Sequence, residues 1–171
     1  ICCNNIITFI IYHVRSGLKN PLLFYRNMIN IKKEIKKFLK PDMEILFCKI
    51  NDNADFLKVI IDSINNISID VTSYIVKKIK NDDMIMSNFP NGLKIEVGTP
   101  GIDSSLIKKF QFAKNIGRKI NLEYKDNEKS NIGLFCLIEA NDSYIVVEKF
   151  SETMNVKYEN IINAKVEISF A

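Results

Sequence analysis

Cys2, Cys3, Cys48, Cys136 and His13 are the side chains of this sequence best suited to nucleophilic or metal chemistry, yet their spacing assembles neither. No CxxC pair occurs, and a single histidine cannot complete a Cys/His zinc set, whose ligands come in closely spaced pairs. A Ser/His/Asp or Cys/His relay needs a histidine beside its nucleophile. His13 lies in an N-terminal stretch set apart from the rest of the chain. No Gly-rich phosphate loop of the Walker or Rossmann form is present. Asp82 and Asp83 are paired carboxylates, but they fall in a polar loop where solvation accounts for them. The sequence therefore reads as a non-enzyme with no catalytic residue, metal site or cofactor. Cys48 and Cys136 sit inside apolar runs and are expected to be reduced core thiols, the usual place of free cysteine, in a cytoplasmic setting.

Binding chemistry remains. Lys108, Lys109, Lys114, Arg118 and Lys119 form the densest basic stretch and are the candidate phosphate contacts, which position a protein without reading sequence and weaken as salt rises. The formal charge is +4, but Arg15, Lys19 and Arg26 stand in a stretch without acids. Setting those three aside leaves 21 basic against 20 acidic residues from Met28 onward. Contact with RNA must then come from a local patch rather than an overall field. A second basic run, Lys77, Lys78 and Lys80, closes a helical pattern, where cations favour the helix C-terminus.

Ahead of the main basic stretch, Thr99-Pro100-Gly101-Ile102 carries proline and glycine at its two central places. This predicts a type II turn with Gly101 at positive φ, followed by Asp103. Gly98 to Gly101 also spells Gly-x-x-Gly, by which KH domains clamp a nucleic-acid backbone. That loop joins two helices and offers backbone N–H groups. The one here follows a strand and contains proline, which has no N–H, so the clamp reading is rejected.

The elements that position these residues follow from periodicity. The apolar run Ile6–Val14 spans nine residues, short of the ~20 that a crossing helix needs, and it lacks the flanks of a secretory signal. Met28 stands directly before Ile31, Ile35, Phe38 and Leu39, the face of a helix. Residues 1–27 are therefore expected to be an N-terminal extension upstream of a native start at Met28. Their lack of acidic residues leaves an organellar transit peptide open. MEILFCKI (43–50) and FLKVIIDS (56–63) read as a hairpin around a polar tip. Val71, Tyr74, Ile75 and Ile79 mark one side of a second helix begun at Ser68 or Asp70, and LKIEV (93–97) is a half-buried strand after the loop 81–92. From Lys119, five short β-like runs predict a small barrel of the SH3 or Sm type, with Gly117 and Gly133 at bends or close strand approaches. The expected class is α+β: an αββαβ domain over 28–101, a connector over 102–116 holding a helical turn or two, and a five-stranded barrel over 117–171.

The segment KIEVGTPGIDSSLIKKFQFAKNIGRKINLEY (94–124) resembles the junction between the two domains of the ribosome maturation factor RimP family. There a strand ends in Ser-Ser-Pro-Gly, then come a hydrophobic and an acidic residue, Arg-Pro-Leu, a phenylalanine, and Gly-Arg-Glu opening the barrel. Here Thr99, Pro100 and Gly101 supply the turn, Ile102 and Asp103 follow, Leu106 and Phe112 hold the leucine and aromatic places, and Gly117 with Arg118 opens the barrel. Gly98 replaces a serine, and Ser104 and Ser105 replace Arg-Pro. Ile69, Asp70, Val71 and Thr72 only partly match a favoured Leu-Asp-Asp-Cys. The resemblance implies a KH-like first domain, an Sm-like second, no catalysis and no cofactor. It also implies binding to the immature small (30S) ribosomal subunit, near the ribosomal protein of the decoding centre or on ribosomal RNA, with no membrane or small-molecule partner. A generic RNA-binding or Sm-like adaptor acting away from the ribosome is the alternative.

Overall fold

The computed structural model describes residues 30–51, 53, 55–126 and 129–168. The expectation of an N-terminal extension before Met28 falls outside them. The chain divides into two compact units, one taking in the described residues through Asp62 with Ile67–Thr99, the other Ser63–Asn66 and Pro100 onward.

In the first unit, helix α1 (30–36) buries Ile31 and Ile35, four residues apart on one face. Strands β1 (Met43–Ile50) and β2 (Phe56–Ser63) are sheet neighbours, and so short a link requires them to be antiparallel, because a parallel crossover needs a dozen or more residues. Asn51 organises the link: its Oδ1 accepts the Asp55 and Phe56 N–H groups at 3.0 and 2.9 Å. β2 buries Leu57, Val59 and Ile61 completely. Helix α2 (Ile69–Lys80) carries the chain back so that β3 (Lys94–Gly98) runs parallel to β2, with Leu57 opposite Ile95 and Val59 opposite Val97. The Lys58–Glu96 pair at 2.7 Å bridges the same two strands on the other face. The expected order of helix, strand, strand, helix, strand is present.

Two details of this unit differ from expectation. Tyr74 is 51% exposed, with the Lys78 Nζ 5.5 Å from its ring centroid. One residue is about 100° of helix, so a neighbour of buried Ile75 lands on the rim. The loop 81–92 contains a short helix, α3 (Asp83–Met86), capped by Asp82, whose Oδ1 accepts the Ile85 N–H at 2.8 Å. Asp82 thus serves as an N-cap, satisfying an otherwise orphaned donor.

The second unit is built on β4 (Lys119–Asp126), β5 (Lys129–Ala140), β6 (Tyr144–Lys149), β7 (Glu152–Lys157) and β8 (Ile161–Val166), in the order β7-β6-β5-β4-β8. Every pairing is antiparallel. Ile120, Leu122, Leu137, Ile145 and Val147 point inward to a core closed by Phe112. The five expected strands exist, but the sheet is open and is not a barrel: β7 and β8 stand at opposite edges without a ladder between them. The outer edge of β8 is already engaged, because Ser105 bridges to Lys165 and the Leu106 N–H donates to the Ala164 carbonyl at 2.7 Å. The sheet is nonetheless curled. Flat, its edges would be ~19 Å apart at ~4.8 Å per strand, yet only the 3₁₀ turn Tyr158–Asn160 links β7 to β8, a reach of ~14 Å at most. Irregularities at Glu123/Tyr124 and Leu137/Glu139 supply local bends.

The connector 102–116 lies within this second unit. It contributes Ser105, Leu106 and helix α4 (Lys109–Lys114), whose Phe112 is buried in the core. The type II turn expected at 99–102 does not form. The Ser104 N–H donates to the Gly101 carbonyl at 2.9 Å, so the turn spans 101–104. Gly101 is not at positive φ, whereas Gly92 and Gly117 are, at 91° and 83°. The hydrogen bonds of residues 105 and 106 to β8 draw the reversal two places along the chain. Among the described residues no helix is long and apolar enough to cross a membrane.

Candidate functional site

The basic stretch folds around α4, and most of it is occupied by the unit's own acceptors. Ahead of the helix, buried Gln111 reaches back so that its Oε1 accepts the Ile107 and Lys108 N–H groups at 2.8 and 3.0 Å. Lys109 donates to the Asp142 carbonyl, and its ammonium stands 5.5 Å from the Tyr158 ring centroid. Tyr158 packs edge-on against Phe112 at 5.4 Å and donates its hydroxyl to the Asn141 carbonyl at 3.0 Å. Burial, reinforced by the Asp142 carboxylate, raises the pKa of that hydroxyl. Lys114 Nζ donates to the Ser63 carbonyl at 3.0 Å, both residues belonging to the second unit. Arg118 donates to Asn115 Oδ1 at 3.0 Å, while Asn115 Nδ2 holds the Gln111 carbonyl at 2.7 Å. Lys109, Lys114 and Arg118 are therefore struts that fasten α4. In the turn motif, Thr99, Gly101 and Asp103 are exposed and Pro100 is half-buried.

Lys119 leads to a different feature. It pairs with Cys136 of β5, and Cys136 pairs in turn with Glu148 of β6. These residues, with Leu134, Lys149 and Phe150, line an open groove of about 470 Å³. Cys136 is therefore not the core thiol expected from its apolar run. It alternates with inward Phe135 and Leu137, so period-two geometry turns it outward, and it is half-buried in the groove. Cys48 is half-buried and packs on the first core. Burial pushes its thiol up to about 11, with Lys32 pulling weakly the other way.

Phe150 also lines this groove, and sequence reasoning missed both it and its neighbour Ser151. With Lys149 opposite Glu152, they are the two central residues of a hairpin turn and have φ of 53° and 65°. Two positive φ values define a type I′ turn, which favours Asn-Gly. The Phe-Ser pair carries no such signal, and SYIVVEKF reads as a strand running through Phe150. The available clue was spacing alone: two alternating runs separated by two residues. Phe150 is 90% exposed. The Lys149 Nζ stands 5.3 Å from the Phe135 centroid and 5.5 Å from that of Phe150, on the inward side of the sheet near Gly133, because Lys149 alternates with outward Glu148.

Among the described residues no group of three or more His, Cys, Asp or Glu side chains could hold a metal ion. The chemistry on offer at the groove is stacking, cation contact and carboxylate hydrogen bonding. No protein-family model matches this chain.

Proposed function

We propose that this chain is a non-catalytic assembly factor of the RimP kind that binds the immature small ribosomal subunit. The observation carrying this reading is what the residues of the resemblance do. Pro100 opens the second unit, Leu106 and Phe112 pack on its core, Gly117 takes φ 83°, and Arg118 braces Asn115. A motif whose members build the second unit directly after β3 ends is what a two-domain factor requires at that point. The helix and strand order of the first unit, with β2 and β3 parallel, is compatible with a KH-like domain. The five short antiparallel strands of the second are compatible with an Sm-like one, here left open.

On this reading the partner is a ribosomal protein near the decoding centre, ribosomal RNA, or both, in the cytoplasm. Sucrose-gradient sedimentation of cell extract tests it. Comigration with free small subunits is the expected result. A chain that stays at the top of the gradient while binding RNA in isolation would favour the adaptor acting away from the ribosome. Lys119→Glu should weaken comigration, because Lys119 lines the groove whereas Lys109, Lys114 and Arg118 act as struts.

A further inference from the structure

We propose that the groove between β4, β5 and β6 holds one unpaired RNA nucleotide, its base stacked on Phe150 and its amino edge read by Glu148. Three observations converge on that occupant. First, Phe150 is a bulky side chain at φ 53°, followed by Ser151 at 65°. Non-glycine residues pay for that region, and such strain concentrates where it serves a site. Here its effect is to hold an aromatic ring 90% exposed while it lines the groove. Every base has a π-face, and stacking on a presented ring is the common device of single-strand recognition.

Second, the groove carries a cation on the face that Cys136 and Glu148 share. Lys119 stands there beside Cys136, whereas Lys149 alternates to the inward face, its ammonium near Gly133 and the Phe135 ring. The Lys119 ammonium suits a phosphate beside a bound base. Third, the floor between Lys119 and the ring is apolar, made by Leu134 and Cys136, with one carboxylate, Glu148. Lys119 and Glu148 are two strands apart through Cys136, about 10 Å at the usual strand spacing, wide enough for a base between them. A carboxylate accepts hydrogen bonds only. It therefore favours a base whose edge offers adjacent N–H donors, which guanine does with N1–H and its amino group, and disfavours uracil, whose single N3–H is flanked by two carbonyls. A groove for an apolar peptide anchor would have no use for the lone carboxylate acceptor on its floor.

The proposal adds an RNA contact to the assembly-factor reading without depending on it, because it is tested on free oligonucleotides. Fluorescence anisotropy of the full chain with labelled UUUGUU and UUUUUU RNA is the measurement. The guanine-containing hexamer should bind about tenfold more tightly, the scale of one bidentate contact. Glu148→Ala should abolish that preference. With one phosphate contact, affinity should fall about two- to threefold between 50 and 200 mM salt. Phe150→Ala should weaken binding roughly tenfold or more.

The decisive variant is the double change Phe150→Asn with Ser151→Gly. It installs the residues a type I′ turn prefers, so it should unfold at higher denaturant than the parent while losing RNA affinity. Equal binding of the two hexamers by the parent, or undiminished binding by the more stable double variant, overturns the proposal. Loss of Phe150→Ala from small subunits without any hexamer binding would assign the ring to a protein contact and overturn it as well. Hexamer binding by a chain that does not comigrate with small subunits would leave the proposal standing and remove the assembly reading.

Discussion

Gly117 and Gly101 make opposite demands on the chain. Gly117 has φ 83° and donates its N–H to the Leu137 carbonyl at 2.7 Å. A Cβ there would meet nothing within 4 Å, so the whole cost of Gly117→Ala is backbone strain, about 1–2 kcal/mol. Gly101 is not in that region, and its added Cβ would touch only Ser104 Oγ at 3.7 Å, so Gly101→Ala should change stability by less than about 0.5 kcal/mol. Urea unfolding midpoints check both. Cys48 supplies a pH signature. Its folded-state pKa is raised to about 11 from 9.0, so between those values the unfolded chain binds fewer protons than the folded one, and stability falls as pH rises. The loss should be on the order of 2 kcal/mol from pH 9 to pH 11 and absent in Cys48→Ala, as read from the difference between their pH–stability curves. Single residues were the least legible part of the sequence. Gly101 follows a proline as in a type II turn, but hydrogen bonds to β8, some sixty residues away in sequence, decide where the reversal falls. Phe150 and Ser151 adopt turn angles that their types disfavour, and local propensity cannot announce a residue acting against it.

At the scale of elements, α4 shows how a short helix is held. Its six residues are too few for independent stability. Its own buried Gln111 satisfies the Ile107 and Lys108 N–H groups with one oxygen. Gln111→Leu should cost about 1–3 kcal/mol by stripping that acceptor. Gln111→Glu keeps the oxygen but buries a carboxylate and gives up the amide donor, so it should destabilise as well, and thermal unfolding reads both. Elements were legible where their signal is local. MEILFCKI and FLKVIIDS coincide with β1 and β2 because alternating apolar residues and a polar tip are sufficient. The helix α3 escaped notice because its signal is one capping aspartate followed by four residues. Barrel closure was misjudged because it depends on which chain occupies the outer edge of β8, and residues 105–106, in the presumed connector, take that place.

At the scale of the whole molecule, the described residues form two apolar cores with no member in common: Ile35, Leu57, Ile75 and Ile79 belong to one, Phe112, Leu122, Leu137 and Val147 to the other. The basic stretch and the groove lie wholly within the second unit, so the candidate chemistry depends on that core in particular. Cavities in two such cores should have costs that add. Leu137→Ala and Ile79→Ala each remove a completely buried side chain and should each cost about 2–5 kcal/mol. Amide hydrogen exchange resolves where the cost appears, since cooperative units open independently when their contacts are separate. Leu137→Ala should accelerate exchange in β4, β5 and β6 while leaving β2 and α2 at parental rates, and Ile79→Ala should do the reverse. The same pair sorts function by unit: guanine-dependent RNA binding should weaken in Leu137→Ala, whose lesion lies beside Cys136 on β5, and persist in Ile79→Ala. Uniform acceleration across both sheets would mean that the chain opens as one cooperative body, and the groove could then no longer be treated as the property of a separate unit.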